Sequence, residues 1–375
     1  MTQPLDILTI KGFKSIQSLE DFELRNLNVL IGGNGAGKSN FIDFFRLLRA
    51  MMELPLPEMG SSTNLNVYTT DGGGSDDFLF NGPKITKQIE VVTQFGHNGY
   101  RFKLAPTTDE TFMINDEARY YDGGDAGWWG LGSGQTTPEL LKDKDKSGAM
   151  GYSSVGFYVY QAISSWKIYH FNDTSKVAPM RRSKTIDDID YLRFDAANIA
   201  PFLFHLQNHE KSVYNQIVET IRLVTPFFDD FILKPNENEK VRLRWKQKGA
   251  DYPLKPLHLS DGTLRFICLT TALLQPEPPS TIIIDEPELG LHPYAIEILA
   301  ELIEATSKKT QLIVSTQSPS LVDYFEPEDI IIVNRSKGAS DFKRLKKSEL
   351  SEWLEDYSMG ELWRKNIIIG GPVYE

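Results

Sequence analysis

The sequence predicts an α/β fold with a mostly parallel core sheet, a smaller antiparallel β lobe and an insertion that is helical or irregular. Near the start of the chain an apolar strand, residues 27–31, runs directly into a glycine-rich loop and then a helix. In the last third, the apolar runs 281–284, 311–314 and 330–333 alternate with helical segments, which is the pattern of a parallel sheet. No heptad pattern is sustained, so we expect no long coiled coil.

These elements divide the chain into three parts. Residues 1–95 are expected to form an N-terminal lobe around the glycine loop, and residues 256–375 a C-terminal lobe. Between them, residues 96–255 form the insertion together with a helical and β subdomain. A length of 375 residues suits such a division, because single cores rarely grow beyond about 250–300 residues.

The composition excludes several classes of protein. Apolar residues make up 41% and charged residues 24%, which is ordinary for a globular chain and excludes a disordered or fibrous one. Lys and Arg number 40 against 51 Asp and Glu, so the net charge of −11 argues against nucleic-acid binding through overall charge. No apolar run approaches the ~18 residues of a membrane span, so no membrane contact is expected. The single cysteine, Cys268, excludes an internal disulfide and favours a cytoplasmic location and a place in the core.

The middle of the chain shows an antiparallel pattern and then loses regularity. Segments 89–93 and 100–104 alternate like paired strands around a glycine-containing turn. Residues 120–152 carry scattered glycines and the adjacent Trp128 and Trp129, so we expect a mobile surface insertion there. The two tryptophans either contact a partner or pack on the chain's own core.

The glycine loop carries the most specific motif. Residues 32–39 match the phosphate-binding pattern G-x-x-x-x-G-K-[ST] between a strand and a helix. Glycines let successive backbone amides face one anion, Lys38 adds a charge for the β- and γ-phosphates, and the Ser39 hydroxyl suits Mg²⁺. The expected nucleotide contacts of this loop are Asn34, Gly35, Ala36, Gly37, Lys38, Ser39 and Asn40.

Two acids follow the strand predicted at 281–284. The carboxyl ends of parallel strands are where ligands bind, so Asp285 is a candidate Mg²⁺ ligand. Glu286 is the candidate general base for the attacking water. A strand that ends in two acids is common by itself, and the phosphate loop is what favours the functional interpretation.

The sequence Leu-Ser-Asp-Gly-Thr-Leu-Arg at 259–265 precedes this strand. Ser260 can cap the helix that follows, and Gly262 leaves the backbone amides accessible to a phosphate. Taken alone, this pattern fits an ordinary helix N-cap better than a phosphate contact.

In this order, the three elements resemble the ABC-type ATPase heads of the SMC, RecF and OLD-like group. The opening IKGFKSI resembles the first strand of that group, and LSDGTLR and IIIDEPELGLHP are most similar to stand-alone AAA-family ATPases of its RecF/OLD side. The resemblance implies a P-loop NTPase with the ABC-ATPase head fold, which binds ATP and Mg²⁺ and hydrolyses ATP to ADP and phosphate. It further implies a homodimer of heads with ATP between them, or a higher oligomer. Ser260 and Gly262 would then contact the partner's ATP, and Lys14 would touch the nucleotide.

The chain departs from the group's pattern at several positions. The usual Thr-His-Ser after the third strand reads Thr-Gln-Ser, and Gln317 can hydrogen-bond a phosphate or water but cannot carry a proton. His292 follows the acidic strand where SMC heads have an aspartate, and it is a nucleotide contact or a helix-start residue. Asp261 replaces the glycine at the second position of the signature. No segment clearly matches the glutamine loop usual in this group, and Gln161 is the candidate for it. With Glu286, Lys38 and Gln317 as the catalytic set, slow hydrolysis is expected.

Basic residues alternate with apolar ones at 240–248. On a strand this spacing puts the cations on one face, where they could follow a DNA backbone through Arg242, Arg244 and Lys246. A solvated strand face that balances an acidic protein is the simpler interpretation.

Three functions are compatible with these features. The first is an ATP-driven switch or sensor that controls a separately encoded effector, such as a nuclease or toxin, in antiphage defence. The second is a RecF-like DNA-binding clamp in DNA repair. The third is an inactive head that serves as a nucleotide-stabilised scaffold.

Overall fold

A computed structural model describes residues 3–53, 64–123, 126–146 and 154–368. The strands in these ranges are β1 (Ile7–Phe13), β2 (Ile16–Glu23), β3 (Leu27–Ile31), β4 (Ile89–Phe95), β5 (Asn98–Pro106), β6 (Phe112–Tyr121), β7 (Gly127–Gly132), β8 (Lys167–Tyr169), β9 (Lys184–Thr185), β10 (Phe228–Ile232), β11 (Lys240–Val241), β12 (Arg244–Gln247), β13 (Thr281–Asp285), β14 (Gln311–Ser315), β15 (Ile330–Ser336) and β16 (Ala339–Arg344). The helices are α1 (Lys38–Met52), α2 (Asn64–Asp71), α3 (Leu140–Asp143), α4 (Val155–Ser165), α5 (Ile199–His209), α6 (Lys211–Val224), α7 (Asp261–Leu274), α8 (Pro293–Ser307), α9 (Pro319–Val322), α10 (Lys347–Leu350) and α11 (Met359–Arg364).

The predicted α/β fold with a mostly parallel core sheet is confirmed. Six strands lie in the order β16-β15-β3-β14-β13-β8, and every neighbouring pair is parallel except β15 with β16. The central strands β3 and β14 are buried throughout, as expected of strands covered by helices on both faces. Because the parallel strands point the same way, the ends of β3, β8, β13 and β14 meet at one edge.

The antiparallel lobe is a second six-stranded sheet in the order β2-β1-β4-β5-β6-β7. The predicted pair is confirmed, with Ile89 opposite Leu104. The expectation of an irregular insertion at 120–152 is wrong where β7 pairs with β6, since the Trp128 ring lies 5.2 Å from Tyr120 and 4.9 Å from the Arg101 guanidinium. Residues 124–125 and 147–153 of that insertion lie outside the described residues.

Two apolar clusters lie on opposite faces of the core sheet. The first contains Leu30 of β3 and joins α1 and α4 to the antiparallel lobe. The apolar stripe predicted for α1 is buried as expected: Phe41, Phe44, Phe45, Leu48, Met51 and Met52. The second cluster contains Val29 and Ile31 and packs against α5 to α8, with Cys268 fully buried as predicted.

The middle segment contributes to both parts of the molecule. Its strand β8 is an edge strand of the core sheet, beside β13, so the segment 96–255 is joined to the core sheet by backbone hydrogen bonds. The predicted division at residues 95/96 and 255/256 stays a prediction. Among the described residues, no helix is both long and apolar enough to cross a bilayer.

Candidate nucleotide-binding site

The glycine loop joins the end of β3 to the start of α1. Gly37 caps α1 with a φ of 116°, and a Cβ at this position would collide with the Ser340 hydroxyl. Ser340 in turn donates to the Ala36 carbonyl (2.6 Å), and its hydroxyl oxygen is hydrogen-bonded to the Ser15 hydroxyl (2.7 Å). The loop is therefore held from behind by β16 and by the turn between β1 and β2, and glycine at 37 is required by the close approach.

Lys38 lies inside this loop rather than in solvent. Its side chain is buried, and Nζ donates to the carbonyls of Gly32 (2.7 Å) and Gly33 (3.2 Å). Burial lowers the pKa of Lys38, while the charges of Glu286 and Asp285 oppose that change. The ammonium group is thus placed between the loop and the acidic edge of the sheet.

Asp285 and Glu286 stand at the carboxyl end of β13, as predicted. Ser315 lies at the end of the neighbouring β14, and its hydroxyl donates a hydrogen bond to Asp285 Oδ1. Its backbone carbonyl accepts a hydrogen bond from the Glu286 amide at 2.9 Å. Glu286 has a φ of 48°, the left-handed region that costs a non-glycine residue about 1–3 kcal/mol. Its carboxylate accepts a hydrogen bond from the Gln317 side-chain amide.

A single cleft collects most of the predicted residues. It is lined by Gly33, Asn34, Gly35, Gly37, Lys38, Ser39, Asn40, Glu286 and Gln317. The phosphate loop, the candidate base and the residue after β14 therefore face one another across a space open to solvent.

The cleft fits a nucleotide with a divalent cation. The amino end of α1 has no side-chain cap and no acid in its first turn, so its amides and positive dipole end stay available for a phosphate. Ser39 is exposed in that turn, and Asp285 stands beside Ser315. Mg²⁺ is usually bound through one or two carboxylates together with substrate phosphates, which is the role open to Asp285.

The structure adds an imidazole that the sequence did not indicate. β8 runs parallel to β13, and the residue after it, His170, has Nδ1 3.8 Å from Asp285 Oδ2. Burial lowers the pKa of His170. Gln161 instead lies exposed on α4, before β8 begins, so the guess at that position finds no support in its placement. β8, the strand that places His170, has only three residues, which is too short for a strand pattern to be recognised in the sequence.

The signature residues form a separate surface. Ser260 is exposed and caps α7, accepting the Thr263 amide at 3.1 Å, as the helix-start interpretation expects. A Cβ at Gly262 would collide with the Gly290 carbonyl, so the signature packs directly on the segment after Glu286. Asp261 is paired with buried Arg181 at 2.8 Å. None of these three lines the cleft, and their contact with a partner's ATP stays a prediction.

Two further candidates have partners within the chain. Lys14 pairs with Asp43 and lies 4.5 Å from the Phe78 ring centre. His292 caps α8, its Nδ1 accepting the Tyr294 amide at 3.3 Å. Neither lines the cleft, so their nucleotide contacts stay predictions.

The basic segment is only partly free for another molecule. Its apolar residues are buried as predicted, but the segment is not one continuous strand: Lys240 lies in β11, Arg244 and Lys246 lie in β12, and Arg242 lies between them. Arg242 donates to the Arg181 carbonyl (3.0 Å), and Lys246 pairs with Asp229 at 2.7 Å, while Arg244 is exposed. DNA binding through this segment stays a prediction.

Comparison with known families identifies a family whose pattern covers most of the chain. Residues 27–111 and 162–323 match the family described as "AAA domain, putative AbiEii toxin, Type IV TA system". The matched ranges include the phosphate loop, the signature, Glu286 and Gln317. A comparison with curated proteins found no match.

Comparison with solved structures identifies the same architecture. An SMC head bound to the C-terminal winged-helix domain of ScpA matches with a TM-score of 0.54 and 17% identity, over 93% of this chain and 99% of that one. An SMC head with an extended coiled coil, bound to the C-terminal domain of ScpA derived from Pyrococcus furiosus, matches with a TM-score of 0.52 and 18% identity, over 94% and 99%. The fold is therefore that of an SMC head.

Proposed function

Because the chain belongs to this family of AAA domains and is an ABC-type ATPase head of the SMC/RecF-like group, we propose that it binds ATP with Mg²⁺ and hydrolyses ATP slowly to ADP and phosphate. The observation that carries the proposal is the cleft in which the phosphate loop faces Glu286 and Gln317. A buried lysine and an uncapped helix end suit phosphate binding, and a glutamate facing them suits activation of the attacking water.

Each residue of the cleft has a distinct task in this reaction. The amides of the loop and Lys38 bind the phosphates, while Ser39 and Asp285 would hold the cation, which would neutralise phosphate charge. Glu286 accepts the proton of the attacking water, a contribution of about 10²–10⁴-fold in rate for a general base. Gln317 orients that water by hydrogen bonding, and hydrolysis is slow because an amide cannot share the proton.

We also propose that ATP closes a homodimer of heads. Ser260 is exposed, and exposed apolar side chains accompany the signature surface: Leu257, Leu289 and Tyr294. Apolar groups in such a position favour contact with another protein. A second copy would bring this surface onto the cleft of the first, where the signature amides could reach the γ-phosphate.

The dimer acts, in this proposal, as a switch for a separately encoded effector such as a nuclease or toxin in antiphage defence. The family description names a toxin–antitoxin system, and the two SMC heads are each bound to a domain of ScpA. Both support a head that works with a partner protein. Pull-down of the tagged Glu286→Gln chain with ATP should recover the partner, and recovery of the lone chain would count against it.

The first experiment is mass by light scattering with and without ATP and Mg²⁺. Glu286→Gln keeps the shape of the side chain but removes the base, so turnover should fall by about 10²-fold or more and ATP should accumulate in a stable dimer. Glu301→Ala, which removes an exposed carboxylate on α8 outside the cleft, should behave like the unmodified chain. If both variants have the same mass with and without ATP, the ATP-driven dimer is refuted.

A further inference from the structure

Two residues beyond Glu286 lies a carboxylate that the mechanism above does not use. Glu288 is 8% exposed, and burial raises its pKa. Its Oε1 accepts two hydrogen bonds, from the Thr316 hydroxyl (2.7 Å) and from the Gln317 amide (2.9 Å). Its Oε2 is buried with no hydrogen-bond partner among the described residues.

Such a group is costly where it stands. A buried carboxyl group lowers stability unless hydrogen bonds compensate it, and one oxygen of Glu288 has no such compensation. An apolar residue would fill the same space without that cost. The two bonds that Glu288 does make both go to the segment after β14, which ends in the residue facing the cleft.

Gln317 is therefore held at two points by the segment after β13. Its backbone amide binds Glu288, and its side-chain amide donates to Glu286. The Glu286 amide is itself bound to the Ser315 carbonyl at 2.9 Å. These bonds join the ends of β13 and β14 into one unit in which the base and the water-orienting residue have a defined separation.

We propose that Glu288 is a positioning residue: by binding Thr316 and the Gln317 amide, it sets the Gln317 side chain against Glu286 at the place where the attacking water is held. This rests on the proposed ATP hydrolysis. Without Glu288, the Gln317 backbone amide loses its hydrogen-bond partner, and the Gln317 side chain no longer has a fixed orientation toward Glu286. The hydrogen bonds of the Glu288 carboxylate go to Thr316 and Gln317, and only its charge acts on Lys38, so nucleotide binding should change little.

The test compares Glu288→Ala with Glu288→Gln in the full chain. The glutamine keeps an acceptor oxygen at the same place, so its kcat should stay within about threefold of the unmodified chain. The alanine should lower kcat by about 10²-fold, the size expected when a positioning contact is lost, with KM for ATP changed less than about threefold. Glu301→Ala serves as the control for removal of a carboxylate.

Two readouts separate positioning from a merely structural role. If Glu288 acts through Gln317, adding Gln317→Ala to Glu288→Ala should lower kcat little further, because residues that act as a unit are not additive. Hydrogen exchange at the Gln317 amide should be faster in Glu288→Ala and unchanged in Glu288→Gln. Fully additive losses of kcat, or an unchanged kcat in Glu288→Ala, would overturn the proposal.

The same design distinguishes failure of the two proposals. If the unmodified chain does not hydrolyse ATP, the proposed function fails. Exchange at the Gln317 amide then still tests the contact with Glu288. If hydrolysis is present but both Glu288 variants match the unmodified chain in kcat and exchange, only the positioning role is refuted.

Discussion

The cleft and the signature surface lie at opposite ends of the segment 286–290, and their side chains are organised in contrasting ways. In and beside the cleft, Lys38, Asp285 and Glu286 are hydrogen-bonded to other parts of the chain or lie beside opposite charges. On the signature surface, Ser260 and Asp261 are exposed, and the exposed Leu289 lies in the adjacent segment. The cleft is thus preorganised within one chain, whereas the signature surface is open to solvent, where the proposed second copy would bind.

This contrast teaches where each kind of substitution should act. A change in the cleft should alter the chemistry and the affinity for nucleotide in a single head. A change on the signature surface should alter association between heads and leave nucleotide binding intact. A signature variant that changed the ATP affinity of a monomer would contradict this separation of roles.

The largest effect is expected for Lys38→Met. The substitution keeps the length of the side chain but removes the charge that meets the phosphates, and charge-assisted hydrogen bonds are among the strongest in proteins. ATP affinity should fall by about 10²-fold, because loss of such an interaction costs about 1.5–3 kcal/mol. Titration with a fluorescent ATP analogue measures the affinity, and Lys308→Met, at an exposed lysine just after α8, is the control. If Lys38→Met bound ATP as tightly as the unmodified chain, the cleft would not be the nucleotide-binding site.

An intermediate effect is expected for Gly262→Ala. The added methyl group collides with the Gly290 carbonyl, so the signature must move away from the segment after Glu286. ATP-dependent dimerisation of Glu286→Gln should weaken by about tenfold or more, the equivalent of roughly 1.4 kcal/mol, while ATP affinity of the monomer stays within about threefold.

Gly130 offers a matched control for that substitution. It lies in β7 of the antiparallel lobe, and a Cβ there meets no other atom within 4 Å. Gly130→Ala should leave dimerisation unchanged. Equal loss in both variants would mean that the dimer does not use the signature surface.

The smallest effect is expected for Asp261→Asn. Its partner Arg181 is buried, but Asp261 itself is exposed, and exposed ion pairs contribute only about 0–1 kcal/mol. Sedimentation with ATP should give the chain that carries both Glu286→Gln and Asp261→Asn a dimerisation constant within about fivefold of that of Glu286→Gln alone. A larger change would show that Asp261 contacts the partner and that this departure from the usual signature glycine is functional.

Local patterns were sufficient for much of the site. The phosphate loop, Asp285, Glu286 and the cap formed by Ser260 each depend on residues close together in sequence, where spacing determines backbone geometry. The apolar stripe of α1 and the alternation at Val241, Leu243 and Trp245 were predicted for the same reason. Their burial follows from a period of 3.6 or 2.

Contacts between distant segments could not be predicted in this way. The ion pair of Lys14 with Asp43 was not predicted, because Asp43 lies on α1, far from Lys14 in sequence. Residues 120–152 were expected to be irregular, but Trp128 on β7 contacts Tyr120 on β6 and Arg101 on β5. In each case the partner is set by which strand or helix lies alongside, and no local pattern records that.

The sequence by itself determined that this chain has a phosphate loop, an acidic strand end and a signature in the order of an ABC-type head. Only the tertiary structure decided that His170 and Ser315 flank Asp285 and that Glu288 anchors Gln317. The physical reason is the order of the core sheet. β13 lies between β8 and β14, so residues far apart in the chain end at one edge, where hydrogen bonds can join them.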